Sequence, residues 1–313
     1  LTFIAGTRSS SWHPSPPAGV DTTASSYWFN GKVLLCSVWI LISAVVASIL
    51  ISKYESPEED DGPRRKPPGM LYRDQVWRPC LESIHPVHLL VFRLFGFVVL
   101  LLMLVMNVVV DGGEIFYYYT QWTFALVTIY FALGSVLSIQ GCYNYAHHIH
   151  PEAGVSKTTL QGSNREKAGF FAYAFQIIFQ MNAGAVILTD TVFWFVIVPF
   201  LAINDYKLNF LIVNMHVINA VFLLAETAMN SLNFPWFRIG YFILWTGVYV
   251  GFQWILHAST SIWWPYPFLE LSSSYSPLWY LAVAVMHVPC YGVFLAIVKG
   301  KRSLLSKWFP QSY

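Results

Sequence analysis

AGFFAYAFQIIFQMNAGAVILTDTVFWFVIVPFLAI, residues 168–203, decides how the chain is folded. The stretch is almost wholly apolar, which places it in lipid. Its 36 residues, as α-helix at about 1.5 Å each, would run roughly 54 Å, far beyond about 30 Å of hydrocarbon. Softer points fall at Asn182-Ala183-Gly184 and at Thr189-Asp190-Thr191. The stretch is therefore one kinked crossing with an interfacial extension, or two short crossings. The choice sets the side of the membrane on which every later loop lies.

Charge chooses between them. The other apolar runs suited to a crossing are 33–51, 89–110, 121–140, 209–229, 235–257 and 277–298. With 168–203 counted once there are seven crossings, and one side carries fourteen basic residues. These are Lys53, Arg64, Arg65, Lys66, Arg73 and Arg78 in the first loop, Lys157, Arg165 and Lys167 in the second, then Arg238, then Lys299, Lys301, Arg302 and Lys307 in the tail. The other side carries only Arg8, Lys32 and Lys207. Arg93, at the start of the second span, is expected to snorkel to the basic side. Counting 168–203 twice would put the basic first loop and the basic tail on opposite sides. The expectation is an all-α polytopic membrane helix bundle of about seven transmembrane helices, N-terminus outside and C-terminus in the cytosol, in the endoplasmic reticulum or plasma membrane. Its parts are a polar extracytosolic segment (1–32), an extra N-terminal span (33–51), a charged Pro-rich cytosolic linker (52–88), a six-helix core (89–298) and a basic tail (299–313).

Composition agrees. Apolar residues make up 56% of the chain and charged residues 11%, against about 25% charged in soluble domains. The net charge of +2 does not point to nucleic acid, because the basic residues sit in loops beside apolar spans. Cys36, Cys80, Cys142 and Cys290 lie far apart, with no CxxC pair and no zinc spacing. Residues 1–27 are rich in Ser and Pro without an apolar run, so they do not read as a signal peptide. The linker KYESPEEDDGPRRKPPGM reads as solvated chain. The segment 258–276 is aromatic and hardly charged, with Trp263, Trp264, Tyr266 and Phe268, and is expected to lie at the outer interface as a lid.

Polar residues inside lipid are costly and mark packing or function. In NFLIVNMHVINAVFLLAETAMN (209–230), Asn209, His216, Asn219 and Thr227 fall on one stripe at 100° per residue, with Glu226 and Asn230 beside it. Helix packing accounts for a single Asn or Thr, and less readily for a His and a Glu in one span. Span directions place Thr120, His216, His257 and the aromatic lid at one level, with Asn204 and Asp205 in the nearby turn. A hydroxyl, imidazoles and a carboxylate at one depth are the ingredients of acyl transfer. Glu226 and His287 lie deeper and could pair or stabilise packing. Asp190 needs a partner or water. His147, His148 and His150 form HHxH without an adjacent carboxylate or thiol, so no metal is expected. Gly247 and Gly251 offer a small-residue face for helix packing.

The Met215-His216 pair with Glu226 ten residues on, followed by HASTSIWWPYPFLE (257–270), resembles the androgen-induced and androgen-dependent transmembrane protein family, in a plant-like form with an added N-terminal span. The resemblance covers about residues 88–298. It implies hydrolysis of long-chain acyl esters, such as fatty acid esters of hydroxy fatty acids, by a membrane-embedded Thr nucleophile and a His base. The His maps onto His216. The Thr maps onto Thr120 in YYYTQW; alignment on Trp122 places it instead at Thr123 or Thr128. Asn219, His257, Asp205 and Glu226 are then supporting residues, no cofactor is needed, and the partner is a lipid substrate arriving through the bilayer. A Thr hydroxyl needs a base within hydrogen-bond reach, and a neutral imidazole supplies one.

The alternative is a non-catalytic seven-helix protein, receptor-like or scaffold. No Asp-Arg-Tyr follows the third span, no Asn-Pro-x-x-Tyr stands in the seventh, and the seventh has no Lys before Lys299. A transporter would call for repeats or paired broken helices, and only one span looks broken.

Overall fold

A computed structural model describes residues 21–55, 69–149, 166–201 and 210–310. Within them the chain is an all-α bundle. The helices are α1 (Ser25–Trp28), α2 (Gly31–Glu55), α3 (Pro86–Asp111), α4 (Tyr119–Ile149), α5 (Phe170–Val192), α6 (Phe210–Met229), α7 (Ile239–Ser259) and α8 (Ser276–Trp308). Six of them, α2, α3, α4, α5, α7 and α8, are long and apolar enough to cross a membrane. The apolar stretch Val213–Met229 in α6 is shorter. The molecule is a polytopic membrane helix bundle.

From Phe170 to Leu201 the long apolar stretch is continuously helical. After Val192, α5 passes into wider π-type winding over Phe193–Leu201, with Pro199 inside it. Proline removes a backbone donor and crowds the preceding turn, a known cause of such local rewinding. The apolar span runs unbroken from Phe170 to Pro199. The polar points Asn182 and Thr189 are buried in the bundle and do not break the helix.

Contacts give the helix directions. Met215 on α6 meets Gln121 on α4, and Phe222 meets Phe131, so these two helices run the same way. α3 runs against both: Asn107 near its end meets Met215, and Arg93 near its start meets Glu226. α5 also runs against α4, with Phe175 stacked on Tyr130 and Asn182 bonded to the Leu126 carbonyl. α7 runs against α2, joined by Arg238–Glu55 at one end and Trp28–Trp254 at the other. Glycine permits two close crossings. A Cβ on Gly240 would meet the Ala47 carbonyl oxygen at 2.8 Å, and one on Gly184 would run into the Phe242 ring.

The bundle has two distinct ends. At the basic end, Arg93 is fully buried and does not snorkel. Its guanidinium donates to both Glu226 oxygens, to the Val76 carbonyl at 2.6 Å and to Ser138 Oγ at 2.7 Å. The reason is local: Glu226 and Tyr130 offer a ready-made acceptor network, and Tyr130 Oη donates to Glu226 at 3.0 Å. Arg238 is likewise buried and bonds Glu55, Gln176 Oε1 and the Gly69 carbonyl. Lys301 donates to the Thr227 and Asn230 carbonyls and so caps the end of α6.

The linker expected to be solvated divides in two. Its residues 56–68 lie outside the described residues. Residues 69–85 are packed onto the basic end: Leu71, Val76 and Cys80 are buried, and the Cys80 amide donates to the Met229 carbonyl at 2.7 Å. Apolar residues spaced along a charged segment are enough to fold it back onto the bundle.

At the opposite end, 260–275 folds back over the helix termini as the aromatic residues suggest. Trp263 packs edge-on against Tyr117 and contacts Tyr118, Trp264 donates to Tyr27 Oη, and Tyr280 Oη donates to the Leu269 carbonyl. Lys32 Nζ ties the start of α2 to the Ser272 carbonyl at 2.7 Å. The outer faces of α2 and α3 expose Leu34, Leu41, Ile49, Phe95 and Leu102, an extent of apolar surface that suits lipid rather than water.

Candidate functional site

His216 sits on α6 near the lid end, buried to 6% exposure. Its Nδ1 lies 3.2 Å from Asp190 Oδ1 on α5. Three residues after Asp190, and so on the same helix face, Phe193 lays its ring on the imidazole at 3.7 Å with a 7° tilt. A carboxylate accepts only, so the imidazole presents Nδ1–H to it. In the neutral ring Nε2 then carries the lone pair, which is the arrangement of an oriented general base.

The neighbouring residue, Met215, faces the other way. Its sulfur accepts from Asn107 Nδ2 at 2.9 Å and from Gln121 Nε2 at 2.7 Å. The Gln121 contact brings the first turn of α4 alongside α6 at the level of His216. Thr120, the residue before Gln121, is therefore on the turn of α4 beside Met215. It is half-buried, and its hydroxyl stands 3.4 Å from Tyr266 Oη of the lid. Burial pushes the Tyr266 phenol up from the ordinary tyrosine value, with the Thr120 contact opposing, so it stays a neutral phenol at neutral pH. Thr123, one turn deeper, is fully buried and donates to its own helix at the Tyr119 carbonyl, 3.1 Å away. Thr128 does the same at Phe124, 2.9 Å. In this state His216 is bonded to Asp190, while the three threonines bond elsewhere.

The supporting residues scatter. Asn219 is buried one turn along α6 from Met215, with its Oδ1 unpartnered. His257 is fully buried under the lid, stacked on Trp264 at 3.6 Å, with Nδ1 facing the Gln253 carbonyl and Nε2 the Trp263 carbonyl. It holds the lid on α7. Glu226 belongs to the Arg93 network at the basic end and does not pair with His287; ten residues of helix, about 15 Å, separate it from His216. Asp205 and Asn204 lie outside the described residues, as does His150. His147 is exposed against Tyr143, and no group of three or more His, Cys, Asp or Glu gathers to hold a metal among the described residues.

Two features went unread in the sequence. Asp190 was visible as a lone carboxylate, but its partner was not assigned. The signal was present: the charge count makes 168–203 and 209–229 consecutive antiparallel spans, and both residues lie toward their shared end. The second is a hydroxyl–imidazole contact between α7 and α8. Thr246 Oγ1 lies 2.9 Å from His287 Nε2 and 2.8 Å from Tyr119 Oη, while His287 Nδ1 meets the Val283 carbonyl. Nothing in hydropathy distinguishes these residues from ordinary packing groups.

Between α4 and α7 a shallow apolar cavity of about 150 Å³ is lined by Phe116, Trp122, Ala125, Leu126, Ile129 and Trp245. Exposed Ile129 marks its outward side. No family model, no curated protein and no solved structure matches this chain.

Proposed function

We propose that the chain is an integral-membrane hydrolase of long-chain acyl esters, with His216 as general base and a threonine of α4 as nucleophile. The observation that carries this is the Asp190–His216 contact, a carboxylate-oriented imidazole in the lid half of a membrane bundle. A buried His–Asp pair has little packing value in lipid, where an apolar pair of similar size is cheaper. Thr120 is the first nucleophile because its hydroxyl is not tied to its own helix; Thr123 and Thr128 follow. The apolar cavity beside Trp122 suits an acyl tail entering sideways from the bilayer, with the ester near the lid. The resemblance of Met215-His216 and of the YPFLE segment to the ester hydrolases of the androgen-induced family supports the same chemistry.

In this proposal the bundle crosses seven times, with α6 as the fifth crossing, the lid outside and the basic end in the cytosol. Single cysteines at Ser10→Cys and Leu305→Cys are expected to react with an impermeant thiol reagent from opposite sides, and labelling from one side would refute seven crossings. The chemistry is tested with a lipophilic fluorophosphonate followed by peptide mapping, and by turnover of a long-chain ester. The label is expected on the peptide containing Thr120 and Thr123, with Thr120→Ala and Thr123→Ala separating the two. A pure, folded chain that takes no label and turns over no lipid ester is a packing scaffold.

A further inference from the structure

α8 outruns its apolar span. From Ser276 to Val298 it rises about 33 Å, enough to fill the hydrocarbon, and it stays helical to Trp308. Lys299, Lys301, Arg302 and Lys307 therefore stand at the level of the lipid headgroups or beyond them. No carboxylate follows Glu270 in the chain. The four basic residues divide into two pairs. Lys301 donates to the Thr227 and Asn230 carbonyls, and Arg302 to the Leu232 carbonyl and Asn233 Oδ1, so both are spent on the bundle. Lys299 and Lys307 are exposed and take part in none of the ion pairs among the described residues.

The second pair shares one face. At 100° per residue, Lys299, exposed Ser303 and Lys307 fall within an arc of about 80°. Val285, Val288 and Val293, which are 58%, 63% and 49% exposed, widen that arc only to about 140°. Tyr291, Phe294 and Val298, on the opposite side of α8, are buried in the bundle. One outward stripe thus passes from bare valines to bare lysines, in the order of a lipid's tails and headgroup. The helix dipole favours a cation in the last turn, which accounts for Lys307 but not for Lys299, nine residues before the end. A lysine that needs only water could leave a helix beyond the span on any side; these two continue the lipid-facing one.

We propose that Lys299, Ser303 and Lys307 bind the headgroup of an anionic phospholipid whose acyl chains lie along Val285, Val288 and Val293. The lysines are about 12 Å apart along the axis, and their long side chains can close on the level of Ser303 between them. Lys307 leans back along the helix, as helical side chains do, and Lys299 reaches outward with its stem on the apolar stripe. The ammonium groups meet the negative charges of the headgroup, and the Ser303 hydroxyl donates to a phosphate oxygen. A zwitterionic headgroup offers the same phosphate, but its own cation cancels the charge. Net charge is therefore what the site discriminates. The site is independent of the hydrolase reading, which concerns the other end of the bundle.

The test places the full chain in phosphatidylcholine nanodiscs with a trace of photoactivatable phospholipid. Two probes carry the same diazirine acyl chain, one with a serine headgroup and one with choline, and crosslinks to the α8 peptide are counted by mass spectrometry. The serine probe is expected to exceed the choline probe there several-fold. Lys299→Gln with Lys307→Gln should bring the ratio close to equality, and each single variant should lower it partway. Lys53→Gln, at the basic end on α2, should leave the α8 ratio unchanged. Equal crosslinking by the two probes in the native chain, or a preference that survives the double variant, overturns the site. A ratio that falls as far with Lys53→Gln reports only the charge of the whole end and overturns it too. Loss of the preference in excess soluble glycerophosphoserine shows a site for free phosphate esters and overturns the assignment to lipid.

Discussion

Arg93 and His216 are both buried ionisable residues on inward faces of neighbouring helices, yet they keep opposite company. Arg93 has a carboxylate, a hydroxyl and a carbonyl as acceptors, with the Phe175 ring 4.9 Å beneath it. Its carboxylate is in turn bonded by Tyr130. His216 has one hydrogen-bond partner, Asp190, and a stacked ring, and the amides that meet the neighbouring Met215 leave their oxygens unpaired. In the first network no buried side-chain polar atom is left without a partner. The second leaves a lone pair and several acceptors uncommitted. A filled network holds helices in register, while an unfilled one can accept something that comes and goes.

The comparison breaks first at Arg93. Arg93→Met strands Glu226 in an apolar interior and is expected to destabilise by about 3–5 kcal/mol, read as a lowered thermal midpoint in detergent. Arg93→Met combined with Glu226→Leu should recover most of the loss. If the double variant is worse than the single, the network is not the unit described. At the other end the signature is inverted. His216→Ala should cut ester turnover by about a hundredfold or more, with the midpoint little changed. His287→Ala should leave turnover largely intact; the opposite result would move the chemistry to the Thr246 contact between α7 and α8. Asp190→Asn should cost less activity than His216→Ala, because the base survives without its orientation.

Smaller effects sharpen the picture of the frame. Gly184→Ala places a methyl in the Phe242 ring and is expected to cost about 1–3 kcal/mol by overpacking where α5 crosses α7. The pair Arg73–Glu166 is chemically like Arg93–Glu226, but its side chains are 48% and 71% exposed. Glu166→Gln should therefore change stability by less than about 1 kcal/mol, and less still in high salt.

Hydropathy located the helices because it reports how residues partition between lipid and water, which is a property of each residue. It also placed the lid, since Trp263, Trp264 and Tyr266 have few other uses beside a span. What it does not report is which neighbour a polar group meets. Arg93 reads as an interfacial side chain until Glu226 and Ser138 are known to lie beside it. The linker reads as solvated from its charges, although Leu71 and Val76 are enough to dock its second half. His216 stood out because an imidazole in lipid is rare. Its partner Asp190 required knowing that α5 and α6 lie side by side.

The lid meets α7 at the ring of His257. His257 points both ring nitrogens at carbonyl oxygens, Nδ1 at Gln253, 2.7 Å away, and Nε2 at Trp263, 3.3 Å away. A neutral imidazole owns one proton and can answer one of them; the shorter contact takes it, and the lid's carbonyl then faces a lone pair. Only an imidazolium answers both. One proton added to this ring would thus add one hydrogen bond between helix and lid, beside the contacts of Trp264, Lys32 and Tyr280 that already seat it.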